Sequence, residues 1–547
     1  MARDDRWNIA PSPQGVARHR ASGAWRNRTL ADDARDAAAS RPDEVLWVEG
    51  DNRLTAGAAY EQARNLAANL HRMGLREGDV VSFQLPNWTE TVVLDIACVL
   101  LGLVVNPIVP IYRDAELQLI LADCGAKALF VPEEFRSVRH AEMVERMRSR
   151  LPELRHVVVV RGEPTAQASR YEDLLAPADL DAVPWPRQKP EAIKMIMYTS
   201  GTTGRPKGVL HTHETMARAM EACFNHWGLE TGDWTLMPSP VTHVTGFSYG
   251  IEWPLVVGTR TVFMERWNAA GAVSLIDSYG VAVTVGATPF LAELVDAAEK
   301  AGSSLPSLKV FGCGGAAVPP ALIRRANASF ANSCAFRIYG ATEAPVVTLG
   351  YLGRAAADEA ADTDGEIVGY DVRVVDDAGR DVAPGEDGEL LVRGPSLFLG
   401  YLDPADREGS LDADGYFRTG DIGRIVNGNG ILVTGRKKDL IIRGGENLSA
   451  KEIEDALHRH ELIREAAVVA MPHARLGETV CAYLIATGAE RPDVAALAGF
   501  LDAAGLARQK YPERVEYVDD FPRTASGKVR KDLLRKRIAE ALTSESA

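Results

Sequence analysis

From about residue 30 to about residue 430, short apolar runs alternate with longer stretches whose apolar residues recur at helical spacing. Val80 to Leu85, Ala128 to Val131, His156 to Val160, Ile193 to Met197, Val281 to Val285, Leu308 to Phe311 and Phe336 to Ile338 predict strands. The segments between them are Ala- and Leu-rich with helical periodicity. After Ile193 to Met197, for example, Met216, Met220, Cys223 and Trp227 recur at helix spacing. Strand and helix in alternation over this length predict an α/β architecture with largely parallel sheets.

Further on the pattern changes twice. Around Gly365 to Gly394, short strands broken by Asp-Gly and Pro-Gly turns predict an antiparallel subdomain. After Gly435-Arg436-Lys437-Lys438-Asp439 come Ile441 and Ile442, then Gly444-Gly445-Glu446-Asn447, then a helix that Ser449 and Glu452 would open as a capping box. Ala466 to Ala470 and Val480 to Ile485 are strand candidates, so the tail of about 110 residues predicts one compact α+β module. Two domains are expected, residues 1–437 and 438–547. At the start of the first, residues 1 to about 30 form a polar arm carrying Trp7 and Trp25.

At 547 residues the chain exceeds what one core normally holds, and 46% hydrophobic with 25% charged residues is the composition of a soluble globular protein. A net charge of −14 argues against broad nucleic-acid binding, and requires any polyanionic ligand to be held by a local constellation. The six cysteines (98, 124, 223, 313, 334 and 481) form no C-x-x-C pair, which favours buried, reduced thiols in a cytoplasmic protein over disulfides or zinc. Cys313, in a Gly-rich turn, is either a packed small residue or, with less weight, a nucleophile. The polar N-terminus lacks the apolar core of a signal peptide. Val92 to Val105 is too short to span a bilayer, contains Asp95, and reads as a buried helix.

Candidate chemistry concentrates in Tyr198-Thr199-Ser200-Gly201-Thr202-Thr203-Gly204-Arg205-Pro206-Lys207-Gly208, a Gly-rich loop between a strand and a helix. Glycines allow close backbone approach to an anion, hydroxyls and N–H groups meet phosphate oxygens, and Lys207 supplies charge. The loop is not a Walker sequence, because Gly208 rather than Ser or Thr follows the lysine. Four more segments follow: Tyr339-Gly340-Ala341-Thr342-Glu343, Gly415-Tyr416-Phe417-Arg418-Thr419-Gly420-Asp421, Gly435 through Glu446, and Pro522-Arg523-Thr524-Ala525-Ser526-Gly527-Lys528. Asp421 can accept two ribose hydroxyls or be a plain turn aspartate. Glu343, with Thr203, is an oxygen ligand for a hard cation or part of a helix cap. Arg436 offers a fork of donors to ribose or phosphate, or a surface ion pair. Lys528 could bridge a carboxylate and an α-phosphate, or belong to the basic tail with Arg530, Lys531, Arg535 and Lys536.

In this order the five segments resemble the signature of the adenylate-forming superfamily of acyl-CoA synthetases, adenylation domains and luciferases. The resemblance implies a large N-terminal domain of parallel αβα sheets plus a small β subdomain, followed by a small mobile α+β domain hinged at Lys438. It implies ATP and Mg²⁺, the latter at Thr203 and Glu343, and CoA as co-substrate. Nucleotide contacts would come from Thr199, Ser200, Gly201, Thr202, Thr203, Gly204 and Lys207. Gly315, Ala316, Tyr339, Gly340, Ala341 and Thr342 would add to them, with Asp421, Arg436 and Lys528. Catalysis would rest on Lys528, Thr203, Glu343 and His243. The acyl pocket would be lined by His243, Phe247, Gly314, Gly315, Tyr339 and Gly340, and the CoA tunnel by Gly444, Gly445 and Glu446. The expected substrate is a compact ring-containing or short-to-medium-chain carboxylic acid, handled by a monomer or homodimer with no membrane span and no nucleic-acid partner. A carrier protein as acceptor, or nitrite activated for coupling to an aryl amine, would use the same nucleotide motifs.

Overall fold

The computed structural model of the protein describes residues 9–199, 205–315, 318–332, 334–444, 446–523 and 528–545. Its first part is built on two sheets. In the eight-stranded sheet, Val104–Pro107, Val80–Phe83, Ala128–Pro132 and His156–Val160 run parallel beside Ile193–Thr199, which pairs antiparallel with Lys207–Thr212. In the seven-stranded sheet, Ala335–Arg337, Val310–Cys313, Val281–Gly286, Trp234–Met237, Arg260–Phe263 and Val45–Glu49 are all parallel neighbours. Strands such as Val80–Phe83 and Val281–Gly286 are buried at every position, as parallel strands covered on both faces must be.

One core joins the two sheets. It contains Trp47, Phe263, Val283 and Phe336 from one sheet and Phe83, Phe130, Met195 and Met197 from the other. Helices Ala56–Arg72, Glu90–Leu101 and His213–His226 fill the layer between them. The outer face of each sheet has its own helical cover and its own core. The expected buried helix at Val92 to Val105 is thus shorter: the helix is Glu90–Leu101, Gly102 (φ 73°) ends it in the left-handed region, and the rest is the strand Val104–Pro107. Apolar runs carry no periodicity, so only the glycine marked this break. No described helix is long and apolar enough to cross a membrane.

The polar arm is docked. Pro13–Ala21 is a helix, the buried Trp25 indole donates to the Pro395 carbonyl at 2.9 Å, and the Arg26 and Asn27 N–H groups donate to Glu214. Trp7 lies outside the described residues. The antiparallel region is the four-stranded sheet Asp371–Val375, Gly388–Arg393, Phe417–Val426, Gly430–Arg436. Beyond the turn Lys437–Asp439 the chain enters a separate five-stranded sheet, centred on the long hairpin Ile463–His473 and Gly477–Ala486. Ser449 caps Ala450–Leu457 by accepting the Glu452 N–H, but the Glu452 carboxylate turns to Lys510 instead of closing the capping box.

After His243 the chain forms a short helix, Val244–Gly246, a π-helical stretch, Phe247–Glu252, and a further turn, Trp253–Val256. A π-helical register loosens the regular carbonyl pairing. The buried Trp47 indole donates to both Gly250 and Ile251 carbonyls at 3.2 Å each. Trp47→Phe is therefore expected to lower stability by about 1–3 kcal/mol through two under-satisfied carbonyls. A drop in the urea midpoint with an unchanged slope would show this.

Candidate active site

Strands Ile193–Thr199 and Lys207–Thr212 pair so that Thr199 faces Lys207, which fixes both ends of the Gly-rich loop. Ser200, Gly201, Thr202, Thr203 and Gly204 lie outside the described residues, as do Ala316 and Gly445. Lys207 is anchored: its ammonium is 3.1 Å from Asp406 and 5.0 Å from the Tyr401 ring. Arg205 reaches Asp403 and Asp406 at 2.7 and 2.8 Å, tying the loop's far end to Pro404–Arg407.

Beyond the carboxyl end of strand Ala335–Arg337, the segment Tyr339 to Glu343 forms the middle of the site, where ligands of open α/β sheets bind. The Tyr339 hydroxyl donates to Asp421 at 2.8 Å, and Arg436 Nε sits 2.7 Å from the other carboxylate oxygen. Asp421 and Arg436 are cross-strand partners, so the strand register itself sets this contact. Asp421 is 4% exposed, and its N–H donates to the Thr419 hydroxyl. Burial first, and then the Asp421 charge, pushes the Tyr339 phenol well above its usual range, keeping it a donor. The Tyr401 hydroxyl donates to Glu343 at 2.8 Å and is likewise held protonated by burial and by that carboxylate.

Several glycines here admit no side chain. A Cβ on Gly340 would lie 2.3 Å from the Pro345 carbonyl oxygen, and one on Gly314 would lie 2.6 Å from that of Ile338. Gly315 is exposed with φ at +83°. Ser239 donates to the Val285 carbonyl at 3.2 Å, joining the chain beyond strand Trp234–Met237 to strand Val281–Gly286.

Lys528 belongs to the C-terminal part yet shares this cleft. Its side chain keeps solvent-exposed surface, but crowding by protein lowers its pKa. Arg436 and Lys438 push the same way, against the attraction of Asp421 and Glu343. His243 is half-buried; desolvation, with Lys528 second, lowers its pKa to about 4, so the imidazole is neutral. At Lys438 the backbone carbonyl accepts from Arg535 at 3.2 Å, and Arg535 also pairs with Asp439 at 2.9 Å.

The structure thus gathers Tyr339, Glu343, Asp421, Arg436, Lys438, Lys528 and His243. Gly444 (φ +61°) and Glu446 sit instead in the hairpin Ile441–Arg443/Glu446–Leu448, where the Gly444 N–H donates to the Leu476 carbonyl. Phe247 presents no open surface: it is fully buried, with the Lys194 ammonium 5.4 Å from its ring centre. All six cysteines are free and buried. Burial pushes the Cys313 thiol up to about 12, which leaves it packed rather than nucleophilic.

Two residues escaped sequence reasoning. Tyr401 stands in a short edge strand with no motif around it. His211 is buried in strand Lys207–Thr212, 2.7 Å from the Thr342 carbonyl through Nε2 and 3.0 Å from the Thr215 hydroxyl through Nδ1. A carbonyl only accepts, so Nε2 carries the proton. Burial brings its pKa down to about 4. His211 thereby fixes the backbone immediately before Glu343. Among the described residues no cluster of three or more His, Cys, Asp or Glu is gathered to hold a metal. Glu343 is a half-buried carboxylate that accepts from Tyr401 and would suit one position on a hard cation.

The family model described as AMP-binding enzyme matches residues 34–402, and that described as AMP-binding enzyme C-terminal domain matches residues 452–528. A medium-chain fatty-acid–CoA ligase of Escherichia coli (strain K12) is 33% identical over 536 residues, covering 97% of this chain and 94% of that protein. A 2,3-dihydroxybenzoate-AMP ligase of Bacillus subtilis (strain 168) is 33% identical over 550 residues, covering 98% of each chain. Among solved structures, the anthranilate CoA ligase AuaEII in complex with anthranoyl-AMP superposes with a TM-score of 0.84 at 24% identity, over 94% of this chain and 98% of that one. The folds agree: sheets of parallel strands in a large first part, then a smaller C-terminal domain.

A histidine neutral in the fold at pH 5, but protonated once unfolded, favours unfolding as pH falls. The His211 contribution is fully present above about 6.5 and is lost as pH drops toward 4. Urea midpoints measured from pH 7.5 to 4.5 should fall, and the fall should be shallower in His211→Leu than in the parent protein.

Proposed function

Because the chain belongs to the AMP-binding enzyme family, and so is an adenylate-forming acid ligase, we propose that it activates a compact ring-containing or short-to-medium-chain carboxylic acid with MgATP and transfers the acyl group to CoA. The observation that carries this reading is the position of Lys528, close enough to Asp421, Glu343, Arg436 and His243 to interact with them electrostatically.

The acid's carboxylate attacks the α-phosphorus, a P–O bond to it forms, and the bond to the departing pyrophosphate breaks. No enzyme nucleophile is required, so positioning and charge stabilisation do the catalysis. Asp421, steadied by Tyr339 and Arg436, accepts the ribose hydroxyls through its remaining lone pairs. Lys528 lies against the carboxylate and the α-phosphate and offsets the charge that develops between them. Neutral His243 borders the acid without competing for its charge. Glu343 with Thr203 would hold Mg²⁺, which supplies charge neutralisation at the phosphates.

After adenylation, residues 438–547 turn about Lys438, withdraw Lys528 and bring Gly444, Gly445 and Glu446 to the site for CoA. The contacts of Arg535 with the Lys438 carbonyl and Asp439 support a pivot there. CoA is favoured as acceptor by the CoA ligase among the relatives. A carrier protein is the competing acceptor, and the 2,3-dihydroxybenzoate-AMP ligase among the relatives supports it.

A pyrophosphate-release panel of carboxylic acids and nitrite, each with and without CoA, tests the reading. One acid class turning over with CoA supports it. Turnover that ignores CoA, or that needs nitrite and an aryl amine, contradicts it. Lys528→Ala should reduce adenylation by about 10²–10³-fold while sparing thioester formation from supplied acyl-adenylate. Equal loss of both steps would remove Lys528 from its role. Since the charged ammonium is the active form and its pKa is lowered, the adenylation rate should fall on the alkaline side before the ordinary lysine value of about 10.4 is reached.

A further inference from the structure

Lys194, Glu252 and Asp95 are three ionisable side chains sealed inside the core between the sheets, exposed by 1%, 1% and 0%. We propose that they form the polar end of the acyl pocket, where Asp95 accepts a hydrogen bond from an amino or hydroxyl group carried by the acid away from its carboxylate. The proposal rests on the acid-activating reading above.

Lys194 reaches this place through a defect in its strand. Along Ile193–Thr199, Met195 and Met197 pack into the core between the sheets, whereas Ile196 and Tyr198 pack on the outer face. Strict alternation would send Lys194 outward. The register with Lys207–Thr212 shifts between Ile193 and Met195, however, and Lys194 is the extra residue. It turns inward, pairs with Glu252 and lies over the Phe247 ring. Bulges of this kind re-aim side chains and concentrate beside active sites. The same strand runs on to Thr199 and the phosphate loop.

Glu252 arrives from the other wall. It closes the π-helical stretch Phe247–Glu252, which the short helix Val244–Gly246 joins to His243. At up to about 1.5 Å per residue, Glu252 lies roughly 10–13 Å along this segment from His243. A ring acid with a two-carbon spacer, with its terminal hydrogen bonds counted, covers about that length. π-Helical insertions are themselves frequent at functional sites.

Asp95 is what points to a ligand. Set in the buried helix Glu90–Leu101, neither of its oxygens receives a hydrogen bond from an N–H or O–H of the described residues. It lies beside the carboxyl of Glu252, with which it can share a proton. Burial raises both carboxyls, that of Glu252 to about 8, against the pull of Lys194. Buried ionic groups of this kind add little stability over well-packed apolar residues. The acceptor lone pairs left on Asp95 suit a donor brought by the substrate.

The test is ATP–pyrophosphate exchange with benzoates and cinnamates that carry ring H, CH₃, OH or NH₂. The parent enzyme should favour OH or NH₂ over CH₃ by at least about 100-fold in kcat/KM, as expected of a site built to pair with a donor. Asp95→Leu should reduce that preference to below about threefold, acting through the acid's KM and leaving the KM for ATP unchanged. If Asp95→Leu does not fold, the apolar set Lys194→Met, Asp95→Leu and Glu252→Met should give the same loss of preference. A folded variant that keeps the preference, or a parent enzyme that favours H or CH₃, overturns the polar end while leaving acid activation intact. Exchange with no acid at all overturns acid activation itself, and this inference with it.

Discussion

The grip of Tyr339 and Arg436 on Asp421 is the contact on which the site depends. Tyr339 stands past the carboxyl end of the seven-stranded sheet, Asp421 on a strand of the β subdomain, and Arg436 at the end of the last strand before the C-terminal part. One carboxylate thus joins the edge of the seven-stranded sheet to two strands of the β subdomain at 4% exposure. A buried carboxylate needs partners to offset its lost hydration, and Asp421 has both a hydrogen-bond donor and a cation. Asp421 and Arg436 are also among the charges that act on Lys528.

The sheets serve this junction by presenting strand ends. Parallel strands buried on both faces leave their functional residues at the carboxyl edge, in loops such as Gly314–Gly315 and Tyr339–Glu343. The close approaches at Gly314 and Gly340 bring backbone against backbone, and His211 secures the carbonyl between them and Glu343. The loop that carries Glu343 is therefore held from behind, the condition under which preorganised charge is effective.

Much of this organisation was legible in the sequence, for identifiable reasons. Strands such as His156–Val160 and Val281–Gly286 are runs of β-branched residues with clear ends, and the hairpin from Ile463 to Ala486 shows the same character. The apolar stretch after Val92 was misread as one helix because hydrophobicity without periodicity cannot tell a buried helix from a buried strand. The candidate site was legible where chemistry follows chain order, as at Tyr339, Asp421 and Lys528. It was not legible where a contact depends on register or on a distant partner. Nothing in the string announces that Tyr401 meets Glu343, or that His211 meets Thr342. The inward turn of Lys194 is the clearest case: a one-residue shift in pairing reverses which face a side chain takes.

The central claim is that a carboxylate attacks the α-phosphorus in the cleft formed around Asp421 and Lys528. Its most direct test is to supply the turned-over acid labelled with ¹⁸O in the carboxyl group and to follow the label through complete turnover. One ¹⁸O should appear in the phosphate of AMP, with none in pyrophosphate. Unlabelled AMP, or label in inorganic phosphate accompanied by ADP, would contradict the account.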